Sequence, residues 1–303
     1  MAADQTAADA PSPESIAFAG GTLDRAAHLR ADTGRLRALD TSRAILVGPD
    51  QQVATAGQDT VARVPLAELS AGARLTFLGL DPSGAALFAS DALDLHRAPA
   101  HAFAPLRGLM VELDPTEAAL AAYAAGMVGW HRVHRHCGRC GHATEIEQGG
   151  HRRRCPNCGL HQFPRTDPAV TMLVQIGDKA LLSRRHGAPP NRWSALAGFV
   201  EPGETPEEAV VREGREETGV KITAVEYVIS QPWPFPAALM IGFWAYVALD
   251  APPTPDAEEL VEARWFGRDE LRAAVVDARI VLPPAGTIGN FLISTWLAGG
   301  GRT

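Results

Sequence analysis

The four cysteines of this 303-residue chain all fall between Cys137 and Cys158, and their arrangement restricts the fold more than any other feature. They read Cys137-x2-Cys140, fourteen residues, then Cys155-x2-Cys158. Each CxxC puts two thiolates on a tight turn, and two such knuckles converge on the tetrahedral sulfur site that zinc prefers. Four protein ligands leave no position open for water, so the expected metal is structural, one Zn2+ per chain. A redox pair and unligated thiols are the alternatives, and the doubled spacing argues against both. So local a cluster cannot staple a secreted fold. His131, His134 and His136 are close enough in sequence to substitute as ligands, although most such histidines are simply solvated. Arg132, Arg135, Arg139, Arg152, Arg153, Arg154 and Arg165 outnumber Glu145 and Glu147 in this segment. That basic surface is able to attract phosphate or RNA; a solvated ribbon face is the alternative.

The length allows roughly two domains at ~150 residues each. With 46% hydrophobic and 21% charged residues the chain can bury a core, which excludes global disorder. A net charge of -7 excludes a wholly basic nucleic-acid binder. No apolar run approaches the roughly 18 residues of a membrane span, and Met1 to Ser15 lacks the basic and apolar regions of a signal peptide. The expectation is a cytoplasmic protein without a membrane partner.

Four segments follow: a disordered tail over 1–15, a β-rich domain over 16–129, the ribbon over 130–165, and an α/β domain over 166–303. In the second, strand-like runs at Ala44 to Val47, Arg74 to Leu80 and Ala85 to Ala89 include a hairpin turning at Asp81-Pro82-Ser83-Gly84. Asp114-Pro115-Thr116-Glu117 starts a helix that should end near Met127. In the last, strands are expected at 169–176, 179–185, 222–229, 239–247 and 263–266, with helices at 206–218, 268–275 and 287–297. Strands mixed with helices suggest a layered α/β fold.

The helix over 206–218 carries the densest chemistry. Thr205 and Glu208 form a capping box, Pro206 suits the first turn, and Gly219 suits the C-terminal cap. Glu213, Glu216 and Glu217 stand at i, i+3 and i+4, on one face. Carboxylates packed in this way repel unless a cation joins them, and hard oxygen ligands favour Mg2+ or Mn2+. Such ions neutralise a diphosphate and lower the pKa of an attacking water. A solvated acidic helix face is the plain alternative.

The run from Gly198 to Val220 resembles the Nudix box, G-x5-E-x7-R-E-U-x-E-E-x-G-U with U aliphatic, at every position except Gly214. That glycine costs the helix roughly 1 kcal/mol relative to alanine. The resemblance implies an α/β/α sandwich with a mixed sheet. It implies Glu213 and Glu217 as metal ligands, Glu216 as ligand or base, Arg212 and Glu204 as an orienting ion pair, and the Ala197 carbonyl as a further ligand. Downstream, the run Ser230 to Pro236, SQPWPFP, together with the four-cysteine ribbon, resembles the NADH pyrophosphatase family of Nudix hydrolases. Alternating prolines should hold this backbone extended and present Trp233 and Phe235 for stacking on a base. Core packing of those rings is the alternative.

The same resemblance implies substrate contacts from Gln231, Pro232, Trp233, Pro234, Phe235, Pro236, Ala237 and Ala238, with Phe163, Phe199, Arg107 and Gly289 as further candidates. Glu259 resembles an additional metal ligand beside Glu258 and Glu262, and Ala238 stands where the family commonly has serine. The implied reaction is metal-dependent hydrolysis of NADH or NAD+ to nicotinamide mononucleotide and AMP, by a homodimer. The same chemistry on NAD-capped RNA, a broader nucleotide diphosphatase, and a non-catalytic nucleotide sensor are the alternatives.

Overall fold

The computed structural model describes residues 10–95, 101–249 and 251–301. Most of the tail expected over 1–15 lies outside them. Its last part is not coil: Pro13–Ser15 forms a 3-10 turn, leading into the buried Ile16. The chain forms two compact units, one made of residues up to Ile16, Asp167–Gln231 and Ala238–Thr303, the other of Ala17–Thr166 and Pro232–Ala237.

In the second unit, β1 (Arg43–Val47), β2 (Gln52–Thr55), β3 (Val64–Pro65), β4 (Leu75–Leu80), β5 (Ala86–Asp91) and β6 (Ala102–Pro105) form one sheet. Its order is β4-β5-β1-β2-β6, with β3 on β1. The hairpin turns where expected, because Asp81 Oδ1 accepts the amides of Ser83 and Ala85 at 2.8 and 3.0 Å and Gly84 takes φ 84°. After the single turn α1 (Gly34–Arg37), the helix α2 (Pro115–Val133) starts at Asp114, whose carboxylate accepts the Thr116 amide at 2.9 Å. It runs past the expected end at Met127 and through the expected boundary at 129/130. Val128, Trp130 and His131 are buried, and that packing carries the helix over Gly126 and Gly129.

The histidine has no part in the ribbon's metal chemistry. His131 Nε2 donates to the Gly150 carbonyl at 2.9 Å, which leaves Nδ1 to accept from Arg153 at 2.9 Å. Burial, with the Arg153 charge beside it, lowers its pKa to about 4 from an ordinary 6.5. A histidine held neutral contributes stability above its unfolded pKa that is lost as pH falls, because only the unfolded chain takes up the proton. Between pH 6.5 and about 4 the loss should reach about 3 kcal/mol at ~1.4 kcal/mol per unit. His131→Gln, which keeps a donor and an acceptor, should flatten the stability profile in that window. Parallel denaturation profiles for both proteins would contradict this.

The ribbon adds β7 (Glu145–Glu147), β8 (Arg152–Arg154) and β9 (His161–Gln162) in that order. Its expected basic surface is partly neutralised. Arg154 and Arg152 face Glu145 and Glu147 across the strands, with ion pairs of 2.7 to 3.0 Å. Arg153 is buried, and Arg132 holds Asp91 through two hydrogen bonds of 2.8 and 2.9 Å. Arg135 and Arg139 stay exposed.

The other unit is built on β10 (Asp167–Ile176), β11 (Lys179–Arg185), β12 (Leu196–Phe199), β13 (Ile222–Trp233), β14 (Ala238–Val247) and β15 (Leu260–Gly267). The order is β13-β14-β10-β11-β15, with β12 on β10. β10 pairs in parallel with β14 and antiparallel with β11 and β12, so the sheet is mixed. On one face α3 (Pro206–Thr218) buries Ala209 and Val210 against Val170, Met172 and Ile222. On the other, α4 (Arg268–Val276) and α5 (Ile288–Leu297) bring Leu271, Leu292 and Trp296 against Leu173, Leu182 and Trp244. Both faces are covered, giving the expected α/β/α sandwich. Among the described residues, no helix is long and apolar enough to cross a membrane.

Candidate active site

The Thr205 hydroxyl accepts the Glu208 amide at 3.2 Å and Glu208 accepts the Thr205 amide at 2.7 Å, so the expected capping box sets the register of α3. Gly219 closes the helix at φ 70°. Between these ends Glu213 and Glu217 turn inward, with only 1% of the Glu217 side chain exposed, while Glu216 is half exposed. The first glycine of the box is explained here. A methyl group on Gly198, in β12, would collide with the Glu213 carboxylate. Gly214, the departure from the pattern, has a partner too, since Ile222 from β13 fills the space that an aliphatic side chain would need.

Arg212 organises the acids. It holds Glu204 through two bonds of 2.8 and 2.9 Å, Glu213 at 2.9 Å, Glu216 at 3.0 Å and the Phe199 carbonyl at 2.8 Å. Glu204 is thereby shifted to a lower pKa and the guanidinium to a higher one. Glu213 shifts upward despite Arg212, because burial outweighs the ion pair. Glu217 is pushed up to about 7, by burial first and by the neighbouring charges of Glu213 and Glu259. Of the three candidates near the start of β15, Glu259 therefore lies beside the helix acids. Glu262 pairs with Arg184 at 3.4 Å, and the Glu258 amide bonds Asp256.

The donor set fits a divalent cation. Glu213 and Glu259 both raise the proton affinity of Glu217, and the buried Oε2 of Glu217 has no hydrogen-bond partner among the described residues. An unpaired buried carboxylate oxygen is costly unless a cation meets it. Arg185, which the sequence did not single out, donates to Glu217 Oε1 and to the Ala197 carbonyl. The alternation in Leu-Leu-Ser-Arg-Arg does not say which of two adjacent arginines faces inward.

The four thiols of the other unit also gather. Their sulfurs lie within 4.8 Å of one another, with Cys137 to Cys158 at 3.6 Å and Cys140 to Cys155 at 3.5 Å. A tetrahedral site with ~2.3 Å zinc–sulfur bonds has edges of about 3.8 Å. The amide of His142 and the Asn157 side chain lower the Cys140 thiol to about 6, while burial and the neighbouring thiols raise Cys158 to about 11, so the four thiols share their protons until a metal displaces them.

The remaining candidates divide between the units. β13 extends beyond the expected Ile229 to Trp233, but Pro234 to Ala237 form a turn rather than an extended run. There Phe235 donates its amide to the Trp233 carbonyl at 2.8 Å, closing the chain on itself. Trp233 and Phe235 pack on Phe18 at 6.1 and 5.9 Å, and Arg107 lies 5.1 and 4.4 Å from their ring centres. Gln51 bonds the buried Pro234 through its carbonyl, while Pro232 and Pro236 are exposed and Ala237 and Ala238 half-buried. Gln231 is fully buried, donating to the Gly286 carbonyl and accepting the Ile288 amide. It thus anchors the start of α5, where Gly289 packs near Pro283. Phe199 and Phe163 are exposed rings, at 60% and 62%.

A mixed sheet between helices, with this acidic helix against one face, defines a Nudix hydrolase. Residues 165–283 match the NUDIX domain, 132–163 the NADH pyrophosphatase zinc ribbon domain, and 28–130 the NADH pyrophosphatase-like rudimentary NUDIX domain. The chain is 43% identical over 203 residues to the NAD-capped RNA hydrolase NudC of Pseudomonas aeruginosa, covering 66% of this chain and 69% of that protein. It is 37% identical over 233 residues to the NAD-capped RNA hydrolase NUDT12 of Homo sapiens, covering 73% of this chain and 49% of that protein. A solved NUDIX hydrolase from Nitrosomonas europaea is 28% identical, with a TM-score of 0.40 over 45% of this chain and 79% of that one. The chain belongs to the NADH pyrophosphatase family of Nudix hydrolases.

Gly198→Ala should lower turnover about 10²-fold while leaving the melting temperature within a few degrees, since a displacement of ~1 Å at a reacting centre has that effect. Unchanged kcat would show that the Glu213 carboxylate need not sit against this glycine.

Proposed function

We propose that the protein hydrolyses the diphosphate of NADH or NAD+ to the corresponding nicotinamide mononucleotide and AMP, and removes NAD caps from RNA by the same chemistry. The carrying observation is the acidic cluster of Glu213, Glu217 and Glu259, with one buried carboxylate oxygen unpaired. These three residues, the Ala197 carbonyl and Glu216 would hold Mg2+ or Mn2+, which supplies charge neutralisation on the diphosphate and an acidified water. Arg212 orients Glu204, Glu213 and Glu216 as one group. Glu216, the half-exposed member, is the carboxylate that water reaches and the candidate base. The names of the P. aeruginosa and human relatives support cap removal, and the NADH pyrophosphatase descriptions of the matched domains support the dinucleotide. Because Arg152 and Arg154 are paired within the ribbon and Arg153 is buried, the NAD moiety rather than the RNA body is taken as the recognised part.

Trp233 and Phe235 are assigned to the nicotinamide, with Arg107 behind them, and Phe199 and Phe163 are further ring contacts. One structural zinc sits on the four cysteines, and the protein works as a homodimer in the cytoplasm. Trp233→Ala tests the substrate assignment. It should reduce kcat/KM for NADH about tenfold or more, at roughly 1 to 3 kcal/mol per stacked base, and reduce that for ADP-ribose, which lacks the nicotinamide, much less. Equal losses would assign Trp233 to the fold or to the common AMP half.

A further inference from the structure

Arg185 is the last residue of β11, and one of its nitrogens donates both to the Ala197 carbonyl and to Glu217 Oε1. The metal reading above assigns those same two groups to a divalent ion. Arg185 takes Glu217 Oε1 and leaves Oε2 open, but a guanidinium and a divalent ion held this close repel each other, so the two compete for the same pair of groups.

Three features make the arginine the mobile competitor. Glu217 is fixed, with 1% of its side chain exposed, whereas Arg185 is 47% exposed. The ladder between β11 and β15 shifts register between Arg184 and Arg185, so that Arg184 faces Glu262 and Arg185 faces Leu260. Irregularities of this kind re-aim side chains beside active sites. The neighbouring Arg184 already has Glu262 as its partner at 3.4 Å, which leaves Arg185, of the two, to serve Glu217.

Resting on that reading, we propose that Arg185 couples metal binding to diphosphate binding. It holds Glu217 and the Ala197 carbonyl while no diphosphate is bound, yields both to the divalent ion, and then turns its guanidinium to the phosphate oxygens of the substrate. Arginine suits both stations, because its planar fork matches carboxylate and phosphate alike. By linkage, metal and diphosphate must then raise each other's affinity by one common factor.

The test is Mn2+ binding to the full chain, followed by electron paramagnetic resonance, with and without an NAD analogue whose bridging oxygen is a methylene group. In the native protein the analogue should tighten Mn2+ binding by about tenfold or more, within the usual range of such couplings. Arg185→Gln should bind Mn2+ at least as tightly as the native protein when no analogue is present, and should lose most of the tightening. Its KM for NADH should rise. Arg185→Lys should recover part of the KM, but not the coupling. A melting temperature near that of the native protein should accompany both variants, since the side chain is half exposed. Equal Mn2+ affinity and equal tightening in native protein and Arg185→Gln would overturn the proposal and leave the metal site standing. No Mn2+ binding to either protein would overturn the metal reading, and this inference with it.

Discussion

Glu217→Gln lowers kcat by on the order of 10²- to 10³-fold, the loss expected when one fixed charge is removed from a transition-state site. The side chain keeps its size, its place in α3 and an oxygen for Arg185 to bond. Its carboxylate is buried, with Arg185 on one oxygen and the other unpartnered among the described residues, so its charge is only partly compensated until a metal ion joins it. The variant should therefore melt within a few degrees of the native protein in chelator while losing activity at saturating Mg2+ or Mn2+. A merely structural glutamate would give the opposite pair of results. Thermal melts and kcat on one preparation distinguish them, and an unchanged rate would remove Glu217 from the metal site.

The second large effect concerns the ribbon. Cys155 is fully buried within the four-sulfur cluster, and structural zinc contributes ~10 to 16 kcal/mol of apparent binding free energy to small zinc folds. Cys155→Ser should lose the metal and lower the melting temperature by on the order of tens of degrees, at a few degrees per kcal/mol. Metal analysis of native protein purified without added zinc should find about one zinc per chain. A folded, zinc-free preparation with four titratable thiols would contradict the assignment.

Much of this site could be read without coordinates because its parts are local. Capping residues, a proline in the first turn and a C-terminal glycine bound α3 at the residues expected, and i, i+3, i+4 spacing alone puts Glu213, Glu216 and Glu217 near one another. The cysteine pairs are local in the same sense. What stayed hidden depends on contacts distant in sequence. The end of α2 is set by burial of Trp130 and His131, which its two late glycines conceal. Gly214 breaks the box pattern because Ile222, on another element, fills its space. The prolines around Trp233 read as an extended segment, yet Pro234 to Ala237 close a turn whose rings settle on Phe18. Arg185 reaches its partners through a register shift that no periodicity announces.

Product identification with NADH tests the central claim most directly. Incubated with Mg2+ or Mn2+, the native protein should convert NADH to reduced nicotinamide mononucleotide and AMP in equal amounts, resolved by chromatography and mass, with no turnover in excess chelator. Cleavage at the nicotinamide–ribose bond, or hydrolysis that persists without a divalent ion, would contradict it.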